Sequence, residues 1–264
     1  MLKPEVLREL VDRGDGKDRA FADAMIRMAF ARASAPEVHD ELRALHVELG
    51  AASLRSHAPL RAAIAAGTCR GDALRRRFDE VPLLERDHFV EEVLGIAYPP
   101  LEQDALGPEL VSYSPSGYDE IVHALDVTGL DAGDHFLDVG SGAGKAVLLA
   151  NLLTGAASSG LECDRSLHEL ASVASDALGV TGARFRRGDA REVPLEDADV
   201  VFMYIPFTGG ALAAVMDRLV DRAGRRGGPR RRRFLCAGAL DTRRYDALVA
   251  AGPPRSWLHV YAWR

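Results

Sequence analysis

Asp138, Gly140, Gly142 and Gly144 stand at alternate positions in LDVGSGAGKAVLLA, residues 137–150, between an apolar run that reads as a strand and one that reads as a helix. Glycine lets a chain turn sharply and leaves no Cβ between backbone and ligand. The stretch is therefore shaped for close approach, and the acid at its head suits a cation or a hydrogen-bond donor. A phosphate-cradling loop would need glycine five positions before Gly144 and a hydroxyl after Lys145; Val139 and Ala146 stand there instead. A dinucleotide turn would need its third glycine at position 145, which is lysine. Two further acids fall at expected strand ends, Glu162 after SSGL and Asp189 in the GDA that follows ARFRR.

This pattern, D-x-G-x-G-x-G with Glu162 and Asp189 behind it, resembles motif I and its sequels in the class I S-adenosylmethionine-dependent methyltransferases, over roughly 150 of the 264 residues. The resemblance implies S-adenosyl-L-methionine as cofactor. It also implies Gly140, Ser141, Gly142 and Gly144 as the turn around its amino-acid and ribose end, with Asp138 accepting from the ammonium. Glu162 would accept from the ribose hydroxyls, Asp189 would face the adenine amino group, and Ala190 would lie near the ring. A narrower resemblance joins SYSPSGYDEIVHALDVTGL and ADVVFMYIPF to the seven-β-strand protein-lysine methyltransferases and, more distantly, to the non-SET histone lysine methyltransferases. By that match Tyr113, Ser114 and Ser116 close over the methionine end. Packing of Tyr113 and Tyr118 on the neighbouring helix is an equal alternative.

These residues need a scaffold. From about residue 106 onward strand and helix patterns alternate, the mark of an α/β sheet. Strands are expected at 135–140, 158–163, 183–189, 198–205, 232–239 and 257–263, and helices at 117–126, 143–153, 165–178, 209–221 and 241–250. The expected fold is thus a Rossmann-like, mostly parallel sheet with flanking helices. An α-helical region precedes it, giving domains at 1–105 and 106–264. Within that region DRAFADAMIRMAFARA is read as a helix with Phe21, Met25, Met28 and Ala29 on one face, and a helix from Pro36 is read as closing at Gly50. The helical region is expected to cap the site and select the acceptor.

Bulk properties narrow the function. A net charge of −6 gives no global attraction to nucleic acid or anionic membrane. All but three of the 33 basic residues are arginine, so the run RRGGPRRRR at 225–233 says less than it would elsewhere. Three cysteines without a CxxC pair argue against a disulfide framework and a thiolate zinc site. No metal is expected, because His39, His46 and His57 lack ligand spacing and an acidic companion. The amino terminus carries charge where a leader needs an apolar run, no stretch is long enough to span a membrane, and a cytoplasmic location is expected.

The acceptor is expected beyond the fourth strand, in MYIPF. Enzymes that methylate planar amides or nucleobase amines carry a carboxamide or acid at the position of Tyr204, and a phenol cannot replace its paired donor and acceptor. Tyr204 and Phe207 are expected to line the acceptor mouth, with Tyr113 as a catalytic candidate and His88 as a further polar contact. His123 and His135 read as structural. The reading is methyl transfer to nitrogen or oxygen of a small molecule or a protein side chain. The alternatives are a non-catalytic binding protein on the same fold and an RNA methyltransferase using the arginine run.

Overall fold

The computed structural model describes residues 4–104, 107–204, 206–224, 233–237, 245, 248–250 and 258–263. They divide into two units, residues 1–103 with 177–179, and residues 104–176 with 180–264.

The amino-terminal unit is helical: α1 (Pro4–Arg13), α2 (Gly16–Arg32), α3 (Pro36–Ser56), α4 (Ala58–Ala65), α5 (Asp72–Asp79) and α6 (Leu83–Leu94). Asp15 caps α2 by accepting from the amides of Lys17 at 2.8 Å and Asp18 at 3.1 Å. Leu7, Val11, Ala22, Ile26, Leu42, Leu45 and Leu49 form one core across α1, α2 and α3. The buried stripe of α2 is Arg19, Ala22 and Ile26, whereas Phe21 and Met28 face out. Of the expected face, Met25 and Ala29 do pack, partly buried, against this core, and the expectation fails at Phe21 and Met28. An apolar count cannot foresee that Arg19 is drawn inward, where its Nε and Nη2 donate to Glu92 at 2.6 and 2.9 Å. The second expected helix also runs six residues past Gly50, because Ala51, Ala52 and Leu54 sustain it and nothing forces a left-handed turn at that glycine.

Glu92 gathers more than one partner. His57 Nε2 lies 2.9 Å from Oε2, and Tyr98 donates its hydroxyl to Oε1 at 2.7 Å. Burial opposes the charge of Glu92, but these donors together with His88 outweigh it and hold the carboxyl far below the usual range.

The second unit carries α7 (Tyr118–Thr128), β1 (His135–Val139), α8 (Lys145–Thr154), β2 (Ala157–Glu162), α9 (Arg165–Ala177), β3 (Ala183–Arg187), β4 (Val200–Met203), α10 (Gly209–Gly224), β5 (Arg233–Ala237), β6 (Leu248–Ala250) and β7 (Leu258–Trp263). The sheet order is β3-β2-β1-β4-β5-β7-β6. The first five strands are parallel, and β7 runs antiparallel to both β5 and β6. Chain order reverses between β1 and β4, which makes their carboxyl ends the topological switch point where open α/β sheets bind ligands.

Local composition explains the layers. β4 is apolar and buried on both faces, as a central parallel strand must be, and β1 is buried after His135 with Asp138 its one buried charge. β3 lies at an edge and reads ARFRR, with charge outward. Residues 248–250, expected within a helix, form a strand paired with Trp263, Ala262 and Tyr261; Leu-Val-Ala suits either state locally, and the ladder with β7 decides it. The rest of that expected helix, apart from Tyr245, lies outside the described residues, as does the arginine run up to residue 232.

Candidate cofactor-binding site

The glycine turn begins where β1 ends. The amides of Gly140 and Ser141 both donate to Leu161 O, at 2.8 and 3.1 Å, and the amide of Gly144 donates to Ser141 O at 2.8 Å. Gly140, Gly142 and Gly144 have φ of 85°, 52° and 84°, in the left-handed region that penalises any Cβ. Each is also covered. A Cβ on Gly140 would strike Pro206, one on Gly142 would strike the Tyr113 ring, and one on Gly144 would lie 2.6 Å from the Phe185 ring. Gly144 leads directly into α8 with no side-chain cap.

Glu162 closes β2 and binds back to the turn. Its Oε2 accepts from the Gly142 amide at 2.8 Å and its Oε1 from the Asp164 amide at 2.8 Å. Oε1 also accepts from Cys163 Sγ at 3.5 Å, so it is Oε2 that retains a lone pair beyond these bonds. Asp138 is buried beside it, and its Oδ1 has no hydrogen-bond partner. Burial, with the charge of Glu162 added, pushes the Asp138 carboxyl up to about 8. The Ser141 hydroxyl is likewise buried without a partner. Orphaned polar atoms of this kind are rare in folded proteins and ask for an explanation. Here they stand at the glycine turn where a bound cation or donor would satisfy them.

Asp189 lies two residues past the end of β3. Its carboxylate accepts from the Arg191 amide at 2.8 Å and pairs with the Arg191 guanidinium at 2.6 Å, which holds it below its ordinary range. Ala190 is buried, and its carbonyl accepts from Arg218 at 2.8 Å. Between the two acids Cys163 is half-buried; burial and the charges of Glu162 and Asp189 push its thiol up to about 12.

The segment before α7 is fastened across the end of β4. The Glu109 carboxylate accepts from the amides of Gly210 at 2.7 Å and Ala211 at 2.9 Å, capping α10 from about a hundred residues away. Leu110 bridges Phe207, and the Val111 amide donates to Pro206 O at 3.1 Å. That clamp carries Tyr113 to its place over Gly142. Ser116 is buried, Tyr204 is half-buried just beyond β4, and Phe207 is buried in the core with Leu137, Val139 and Met203. Glu162 is thus hydrogen-bonded to the turn, Tyr113 and Pro206 lie against its glycines, and Asp138 sits two residues before it at the end of β1, whereas Asp189 is engaged by Arg191. Glu109, Phe185 and Asp164 were not expected, and Pro206 was expected only as part of the MYIPF stretch. Only Asp164 had a local signal, since D-R-S-L is a helix start and its Oδ1 does accept from the Leu167 amide at 2.9 Å.

Among the described residues no group of histidine, cysteine and acid side chains could hold a metal ion, and no helix is long and apolar enough to cross a membrane. No protein-family model matches the chain, and no curated protein matches it. Solved structures do resemble it. An RNA methyltransferase from Salinibacter ruber, in complex with S-adenosyl-L-homocysteine, is 24% identical over 57% of this chain and 92% of its own, with a TM-score of 0.47. A SAM-dependent methyltransferase from Thiobacillus denitrificans, also with S-adenosyl-L-homocysteine, is 24% identical over 47% and 49%, with a TM-score of 0.37. A geranyl diphosphate C-methyltransferase from Streptomyces coelicolor is 14% identical over 45% and 44%, with a TM-score of 0.39. By its own sheet order and glycine turn, the second unit has the Rossmann-like fold of the class I S-adenosylmethionine-dependent methyltransferases.

Proposed function

We propose that the protein is an S-adenosylmethionine-dependent methyltransferase acting on nitrogen or oxygen of a small molecule or a protein side chain, in the cytoplasm. The observation that carries this reading is the buried, unpartnered Oδ1 of Asp138 beside Glu162 at a left-handed glycine turn. A fixed site for a cationic nucleoside accounts for a cost the fold would otherwise bear without return. When bound, that cofactor supplies a sulfonium methyl group open to attack by a lone pair.

The chain's own residues would bind, orient and exclude water. Asp138 and Ser141 would receive the ammonium end, Glu162 the vicinal diol, and Asp189 with Ala190 the base. Gly140, Gly142 and Gly144 would give backbone access, and Tyr113 with Ser116 would cover the methionine end. Tyr204 would stand at the acceptor mouth, with Phe207 backing it from the core and Tyr113 completing its aromatic side. Methyl transfer needs the acceptor lone pair in line at roughly 3 Å, so positioning supplies much of the rate. A lysine acceptor must lose its proton first, and an apolar aromatic mouth favours the neutral amine.

The test is calorimetric titration with S-adenosylmethionine and S-adenosylhomocysteine, followed by transfer of isotopically labelled methyl to candidate acceptors. Binding of both, with labelled product, is expected. Absence of binding overturns the reading, and binding without transfer to any acceptor favours a non-catalytic member of the fold. Glu162→Gln is expected to weaken cofactor binding about tenfold, the loss of a charge-assisted hydrogen bond.

A further inference from the structure

On the cofactor reading proposed above Asp189 faces the base, yet its carboxylate is already fully engaged. Oδ1 accepts from the Arg191 amide at 2.8 Å and from Arg191 Nε at 3.0 Å, and Oδ2 accepts from Nε at 3.0 Å and from Nη2 at 2.6 Å. A carboxylate offers about four lone-pair sites, and Arg191 takes all of them. Resting on that reading, we propose that Arg191 competes with the adenine amino group for Asp189 and so sets how strongly the site selects adenine.

The surrounding backbone leaves side chains as the part that can yield. The Asp189 carbonyl accepts from the amides of Glu192 and Val193, both at 2.9 Å. Arg218 Nη1 donates to Ala190 O at 2.8 Å and its Nη2 to Val193 O at 2.7 Å. Ala190 is buried in the sheet's core, and Val193 packs against it. Asp189 is therefore presented from a fixed turn, and on the same turn Arg191 is a rival always at hand.

The contest is even enough to matter. The side chains of Arg191 and Asp189 are 39% and 22% exposed, and ion pairs open to solvent are weak, so a ligand can open this one. Donating to a free carboxylate, an amino group gains about tenfold in affinity. Donating to one that must first give up part of Arg191, it gains little. The displaced guanidinium is not stranded, because the charges of Glu192 and Glu109 also act on it.

The probes are S-adenosylhomocysteine and its analogue with hydrogen in place of the adenine amino group, titrated into the full chain by calorimetry. The parent is expected to bind both, with affinities within about threefold of each other. Arg191→Met should tighten S-adenosylhomocysteine binding about tenfold and leave the analogue unchanged, since only the amino group meets Asp189. Arg191→Lys, whose ammonium cannot fork onto both oxygens, should fall between. Adding Asp189→Ala to Arg191→Met should return the ratio of the two affinities to that of the parent. A ratio that Arg191→Met leaves unchanged or lowers, or equal tightening of both ligands, overturns the role of Arg191 while the cofactor reading stands. Absence of binding of either ligand to the parent overturns the cofactor reading, and the role of Arg191 with it.

Discussion

Asp138 sits where its own charge is costly, because burial and the neighbouring Glu162 both favour its protonated form. With the carboxyl pushed up to about 8, most of it is neutral at pH 6 to 7 in the free protein. A cationic ligand reverses that preference, so binding expels a proton, and affinity should climb with pH until it levels off above about 8. Calorimetry at pH 7 in buffers of differing ionisation enthalpy is expected to report release approaching one proton, and Asp138→Asn should remove it. A pH-independent affinity would separate Asp138 from the cation. The same shift bears on folding. The folded state keeps a proton that the unfolded chain, with a value near 3.8, releases. The stability tied to this group is therefore fully present below pH 4 and is lost as pH rises to about 8. Without cofactor, Asp138→Asn should melt higher than the parent at pH 8, with each 1 kcal/mol worth roughly 2–4 °C for a domain of this size.

Among the elements, α10 and the segment before α7 depend on one side chain. Replacing Glu109 with alanine strips the amides of Gly210 and Ala211 of their acceptor, for a cost of about 1 kcal/mol. Hydrogen exchange should quicken at those two amides and at Val111, whose bond to Pro206 shares the clamp. Unchanged protection would mean that the Leu110–Phe207 bridge holds the segment by itself. This clamp also marks where sequence stops being informative. Strand ends and positive-φ glycines are local properties, so the alternation after residue 106 and the turn at 140–144 could be read from composition and spacing. Glu109 meets α10 across 101 positions and Arg19 meets Glu92 across 73, and no periodicity carries such pairings. Phe21 and Met28 of α2 point outward for that reason, while Met25 and Ala29 pack as expected, and residues 248–250 are a strand because a three-residue edge strand is fixed only by its partner.

At the scale of the whole molecule, a net charge of −6 sets the long-range field. The arginine run then acts against that field rather than with it. Filter binding of single-stranded RNA at rising salt is expected to show weak affinity with a shallow slope, little altered when Arg230, Arg231, Arg232 and Arg233 are replaced by serine. A steep slope lost on that replacement would instead indicate several phosphate contacts and move the acceptor toward RNA. In the amino-terminal unit, Arg19→Met should be among the most destabilising single changes, about 3–5 kcal/mol, because it strands the buried Glu92 charge; chemical denaturation measures it.

The ring of Tyr113 rests on the very backbone that a nucleoside would have to reach. On the proposed reading of this turn as the cofactor site, capture would be gated: the Tyr113 ring would have to move aside before contact and settle again afterwards. In rapid mixing the observed rate should saturate as cofactor concentration rises, at the frequency of that swing, and Tyr113→Ala should restore a linear dependence while shortening the residence time of what has entered.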